Sequence, residues 1–213
     1  HHRTELVNAL RASLYEYGHV VPQGVHQIKR FAEIVEAPGS DLPALMREEC
    51  SNLLEQISEQ TVRINAKTAK IKTLGAEADT ARRLQTIPGV GPLTALALEA
   101  FAPPMESFKR GRDFAAWLGL VPRQFSSGGK ERLGRISKAG QADIRKLLII
   151  GAMSRLSWLG RKSIPDDSWL ARMVARKPRM LVAIALANKM ARTIWALLTK
   201  NENYRVPAQA VTA

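Results

Sequence analysis

The stretch "LQTIPGVGPLTALALEA", Leu84 to Ala100, decides the architecture. Its opening residues close a helix that has to stop near Thr86, because Pro88 lacks an N–H and the glycines at 89 and 91 favour a tight turn. Pro92 suits the first turn of a new helix, so two helices are expected with a glycine hairpin between them. The first N–H groups of that second helix have no partners within it, and a phosphate oxygen can sit there. A plain turn between two core helices fits the same string equally well.

Outward from this hairpin the chain is helical in both directions. Downstream, "SFKRGRDFAAWLGLVP" places Phe114, Trp117 and Leu118 inward with Lys109, Arg110 and Arg112 at its front. "QADIRKLLIIGAMSRLSWL" buries Ile144, Leu147 and Leu148, and "DSWLARMVA" and residues 180–199 extend the helical count. Upstream, Leu6, Val7, Leu10 and Leu14 form one stripe that Gly18 is placed to end in a left-handed cap. A short helix around "HQIKRFAEIVE" stops before "APGSDLP", where Asp41 is a candidate cap. From about 44 to 75, Leu54, Ile57, Thr61, Ile64, Thr68 and Ile71 recur in steps of three and four. That seam predicts either an antiparallel hairpin or dimer contact, or packing on the rest of the chain; two threonines weaken it. Nothing alternates long enough to demand a sheet. The expectation is an all-α chain: a helical, coiled-coil-like arm over 1–78, a compact helical domain over 79–200 and a loose tail over 201–213.

Composition narrows the partners. Across 213 residues, 32 Lys and Arg against 19 Asp and Glu leave +13, which calls for a polyanion. Residues 109–162 hold thirteen of the basic side chains against Asp113, Glu131 and Asp143, so +10 of the charge lies there. Nucleic acid leads, and an acidic membrane surface follows. The apolar run 180–198 is interrupted by Asn188, Lys189 and Arg192, too polar for a transmembrane span. A single cysteine, Cys50, excludes an intramolecular disulfide and a cysteine zinc cluster, which fits a reducing cytoplasm. Beside this charge, the glycine hairpin resembles the helix-hairpin-helix module, which grips DNA backbone without reading bases.

The segment "PRQFSSGGKERLGRISKAG", residues 122–140, brings five Lys or Arg, three Ser and four Gly together. Ser137 precedes a helix and is expected to cap it. Ser126 and Ser127 stand before Gly128 and Gly129 with no helix to cap, as in a mobile connection or around a nucleophile. A serine attacking phosphorus needs its charge neutralised, which Arg123, Lys130, Arg132, Arg135 and Lys138 could do, and it needs a base or a metal. The carboxylates of Asp113, Glu131 and Asp143 are scattered. "PDDS" at Asp166 and Asp167 suits a turn and helix start, and His19 and His26 lie in the arm. No metal-ligand set is visible.

Three strings carry a resemblance: "LRASLYEYGHVVPQG", "LQTIPGVGPLTALAL" and "FAAWLGLVPRQFSSGGKERLGRISKAGQADIRKLL", in that order. Over roughly residues 3–199 the chain closely resembles the C-terminal part of the insertion sequence one-ten family of DNA transposases. The resemblance implies a helical arm and a C-terminal transposase domain, without the family's N-terminal resolvase-like domain and its Asp-Glu-Asp-Asp magnesium site. It implies no cofactor in this fragment, with magnesium expected in that other domain. It makes Ser127, in the loop after Leu-x-Pro-Arg, the nucleophile that links transiently to a DNA phosphate, with Ser126 its one-residue rival. DNA, a structured guide RNA and further copies of the chain, as dimer or tetramer, are the implied partners, in a bacterial or archaeal cytoplasm. The nucleic-acid contacts expected are Gly89, Gly91, Arg110, Arg112, Arg123, Lys130, Arg132, Arg135, Lys138, Arg145 and Lys146. Two other readings stay open: a non-catalytic helix-hairpin-helix binding module, and a helical oligomerisation protein with a solvated basic face.

Overall fold

The computed structural model describes residues 1–126, 129–130, 132–159 and 168–205. The fold is all-α as expected, with nine helices among the described residues and one short two-stranded ribbon. It divides into two units, His1–Lys70 and Ile71–Ala213.

The first unit contains α1 (His2–Glu16), α2 (Ile28–Glu36) and most of α3 (Ala44–Glu77). At the end of α1 the N–H of Gly18 donates to Tyr15 O and that of His19 to Leu14 O, both 3.0 Å, while Gly18 takes φ 83°. This is a Schellman closure, and only glycine enters it without a Cβ penalty. Val7, Leu10 and Leu14 of α1 meet Phe31 and Val35 of α2 and Cys50 and Ile57 of α3 in one buried cluster. Asp41 does not cap α3. Its carboxylate lies 3.0 Å from His19 Nε2, two residues too early to reach the first helical N–H groups. The seam along α3 divides: Ile57 is fully buried and Leu54 packs against the cluster, whereas positions 62–70, with Val62 and Ile64, are exposed. Thr61 and Thr68 turn their hydroxyls back onto the carbonyls of Ile57 and Ile64, both at 2.8 Å. Burial and the neighbouring Glu49 push the Cys50 thiol above its ordinary pKa. We expect Cys50 to resist alkylation in the folded chain and to react at the rate of a free thiol once denaturant opens this unit. Fast labelling without denaturant would contradict the packing.

The second unit is built around α9 (Arg179–Lys200), whose buried positions Val182, Ala183, Leu186, Ala187, Met190, Ala191, Ile194 and Leu197 follow the helical period. Among the described residues it is the one helix long and apolar enough to cross a membrane, and it is the core helix here. Against it pack α6 (Gly111–Trp117) and α7 (Ala142–Leu159), with α4 (Asp79–Gln85), α5 (Pro92–Phe101) and α8 (Trp169–Arg176) completing the cluster. Trp195 fixes the approach to α6 by donating its indole N–H to Met105 O and Phe108 O at 3.3 and 3.2 Å. Ser168 caps α8, its hydroxyl accepting the Ala171 N–H at 3.1 Å; Asp166 and Asp167 lie outside the described residues. Asn201, at φ 61°, ends α9 and accepts a hydrogen bond from Arg83. The chain then returns to the hairpin, where Tyr204 N–H donates to the Thr86 hydroxyl at 3.0 Å.

Candidate nucleic-acid interface

The hairpin between α4 and α5 is a tight turn in which the Val90 N–H donates to Ile87 O at 2.9 Å and Gly89 takes φ 96°. Proline second and glycine third are the residues a type II turn requires. The outer side of the turn is open: nothing lies within 4 Å of a Cβ built on Gly91, and no side chain caps the start of α5. Its inner side is packed against α7. A Cβ on Gly89 would come 2.9 Å from Gly151 O, and one on Gly151 would overlap Gly89 O. The two glycines differ accordingly. Gly89 permits a close backbone approach inside the domain, and Gly91 lies at the accessible end of α5.

The serine segment forms a ribbon standing on the end of α6. Gly119, at φ 68°, closes α6 in a second Schellman arrangement, its N–H donating to Ala116 O at 2.8 Å and that of Leu120 to Ala115 O at 3.0 Å. The chain continues as β1 (Pro122–Gln124), and β2 (Leu133–Ile136) returns antiparallel, pairing Pro122 with Ile136 and Gln124 with Leu133 across an irregularity. Phe125 N–H donates to Arg132 O, and Ser137 N–H to Val121 O, both at 2.8 Å. Ser137 therefore ends the ribbon and does not cap α7. That helix begins at Ala142 behind the left-handed Lys138 and Gly140, and the Ser137 hydroxyl instead accepts the Ala139 N–H at 3.4 Å.

Three successive carbonyls at the foot of the ribbon are bonded from three directions. Arg145 of α7 donates to Leu118 O at 3.0 Å, the Lys138 N–H to Gly119 O at 3.2 Å, and the Asn188 amide of α9 to Leu120 O at 3.1 Å. Arg145 also donates to Ala139 O at 3.0 Å, so one guanidinium ties the outgoing strand to the returning one. Gly119 and Gly140 make that approach possible, since a Cβ on either would overlap the other strand's backbone at Ala139 O or Trp117 O. From the sequence Arg145 is one more positive charge. In the fold its guanidinium serves the junction.

The other basic positions of the segment face water: Arg123, Lys130, Arg132, Arg135 and Lys138 are all exposed, as are Arg110, Arg112 and Lys146. Arg123 reaches Ser137 O at 3.3 Å, and Arg110 lies 3.7 Å from the carboxylate of Asp113. The Ser126 hydroxyl accepts the Arg132 N–H at 3.2 Å across the loop. Ser127, Gly128 and Glu131 lie outside the described residues. Among the described residues, no three His, Cys, Asp or Glu side chains come together as a metal site.

Residues 81–165 match the Transposase IS116/IS110/IS902 family. Two proteins that carry transposase names are 39% identical to the chain: one from Sinorhizobium fredii over 204 residues, and one from Pseudomonas aeruginosa over 205. The alignments cover 95% of this chain in both cases, and 52% and 61% of those proteins. The transposase for insertion sequence element IS1111A of Coxiella burnetii is 38% identical over 210 residues, 97% of this chain and 57% of that protein. The chain thus spans between 52% and 61% of the length of these curated relatives. The hairpin, the ribbon and α7 all fall within residues 81–165, the part of the chain that matches the Transposase IS116/IS110/IS902 family.

Proposed function

We propose that this chain is the part of a DNA transposase that holds the strand and supplies the serine nucleophile for cleavage and exchange, with Ser127 attacking. The observation that carries the reading is the ribbon. It is an exposed loop bearing Arg123, Lys130, Arg132, Arg135 and Lys138, fixed at its foot to α7 and α9 in a domain matched to transposases. In the step inferred, Ser127 Oγ forms a bond to phosphorus, the P–O bond to the deoxyribose breaks, and the sugar hydroxyl leaves. The basic side chains offset the charge that builds on the phosphoryl oxygens. Ser126 suits a bracing role, because its oxygen already accepts the Arg132 N–H.

The family's magnesium does not fit the residues described here: Asp113 is held by the Arg110 backbone N–H at 3.1 Å, and Asp143 sits alone in the first turn of α7. No step is therefore routed through a metal on this chain. The base that takes the serine proton belongs, on this reading, to the portion of the relatives that the chain does not span. Gly91, at the open end of the helix-hairpin-helix, and the exposed cations hold DNA and a guide RNA by their backbones. The exposed half of the α3 seam serves assembly into dimers or tetramers, in the cytoplasm where the DNA lies.

Titrating DNA into the 213-residue chain across a salt series tests the binding half. Six or more phosphate contacts give a slope of log affinity against log salt steeper than about −5. A slope near zero is what a helical oligomerisation protein with a solvated basic face would give, and it would overturn the reading. Capturing a denaturation-resistant protein–DNA adduct in the full-length context tests the chemical half, through the two serines exchanged singly.

A further inference from the structure

A second basic site lies away from the ribbon, at the crossing of α6 and α9. Arg110 and Arg112 at the front of α6 and Arg192 of α9 line a cleft of about 300 Å³ whose remaining wall is Gly111, Trp195 and Ala196. The crossing is close because Gly111 has no side chain: a Cβ there would meet Arg192 Cα and O at 3.2 Å and the Trp195 ring at 3.3 Å. The cleft is thus built by backbone contact beside a half-buried indole whose N–H is already bonded to Met105 O and Phe108 O, and its three guanidinia are exposed at the rim.

The positive surface continues along α9. One turn before Arg192, Lys189 carries its ammonium 4.7 Å from the ring centre of Trp169. Its pKa is lowered by partial burial and by the charges of Arg155 and Arg192. Arg192 therefore links the cleft to Lys189 and Arg155, so five cations from three helices form a run that passes two indoles. Among the described residues the one carboxylate in ion-pair range of any of them is Asp113, beside Arg110. Like charges held this close repel one another, and a surface where Asp113 is the one described counter-charge to five cations is complementary to a polyanion. Guanidinium forks match phosphate oxygens, and an aromatic wall beside them gives a sugar or base an apolar face.

We propose that the cleft formed by Arg110, Arg112, Arg192 and Trp195, extended by Lys189 and Arg155, binds the phosphodiester backbone of a nucleic-acid strand at a point separate from the ribbon. It shares with the proposed function the premise of a nucleic-acid partner, and it adds a second contact that the serine loop does not supply. A strand engaged at both places is held at either end of α6, so the loop cleaves a strand already fixed elsewhere.

The test measures affinity and salt slope for labelled single-stranded DNA, duplex DNA and single-stranded RNA of equal length. Arg112→Ala/Arg192→Ala is compared with a ribbon pair, Arg123→Ala/Arg132→Ala, and with a charge-matched control on α2, Lys29→Ala/Arg30→Ala. All three replace exposed side chains, and circular dichroism checks that each folds. The expected result is a loss of about 10-fold or more, and a slope shallower by about 2, for the cleft pair, with the control unchanged. The strand type that suffers most identifies the occupant of the cleft. If the ribbon pair weakens binding and the cleft pair behaves as the control does, this inference fails and the proposed function stands. If the cleft pair weakens binding and the ribbon pair does not, the cleft stands and the ribbon's part in binding falls. Equal losses in all three would mean diffuse attraction and would also overturn the cleft.

Discussion

On the proposed function, Ser127→Ala in the full-length protein is expected to bind DNA with wild-type affinity and to form no covalent adduct. One hydroxyl contributes little to holding a strand when the five exposed basic side chains of the segment 122–140 are available to the phosphates. Removing the nucleophile removes the bond that has to form, so cleavage should fall by about 10⁴-fold or more. Ser126→Ala behaves differently. It loses the acceptor for the Arg132 N–H, so adduct formation should slow through a looser loop and still occur. An adduct that persists in Ser127→Ala and vanishes in Ser126→Ala would move the nucleophile by one residue. Persistence in both would end the serine mechanism for this loop.

Gly140→Ala is expected to release the ribbon from the domain. The residue sits at φ 71° and an added Cβ would overlap Trp117 O, so left-handed strain and a backbone clash fall on one position. Together these cost about 2–4 kcal/mol, enough to lower a thermal midpoint by about 5–15 °C in a domain of this size. Gly129→Ala is the matched comparison. It has φ 78° with nothing within 4 Å of its Cβ position, so it carries the strain alone, about 1 kcal/mol. The difference between the two variants measures how tightly Gly140 is packed. Equal midpoints would mean that the foot of the ribbon yields without cost.

The helices were legible because their apolar positions recur at 3 and 4, and the turns because proline and glycine occupy the places that turn geometry demands. Gly18 and the pair Pro88–Gly89 do what their residue types announce. The caps were less legible. Asp41 and Ser137 are good capping residues by type, but each found a partner first, His19 for one and the Ala139 N–H for the other. The ribbon left no trace in the sequence because strands of three and four residues, rich in arginine and glycine, cannot establish a period of two. Arg145 could not be told from its neighbours, since its partners lie 27 and 6 residues away and are carbonyl oxygens, which every residue has. The cleft at Arg192 was hidden for a related reason. Its residues come from two helices about 80 positions apart, and the string suggested only that Arg192 interrupted an apolar run.

The bond from Asn188 to Leu120 O joins residues 68 positions apart, and it comes from the helix that forms the middle of the core. During synthesis, residues 122–140 leave the ribosome well before α9 does. The basic loop therefore exists first as loose chain, and its foot closes only when α9 has been made and packed. A growing polypeptide would carry the serine and the charges without the platform that aims them. On the proposed function, the loop is ready to cut only after α9 has been made and packed.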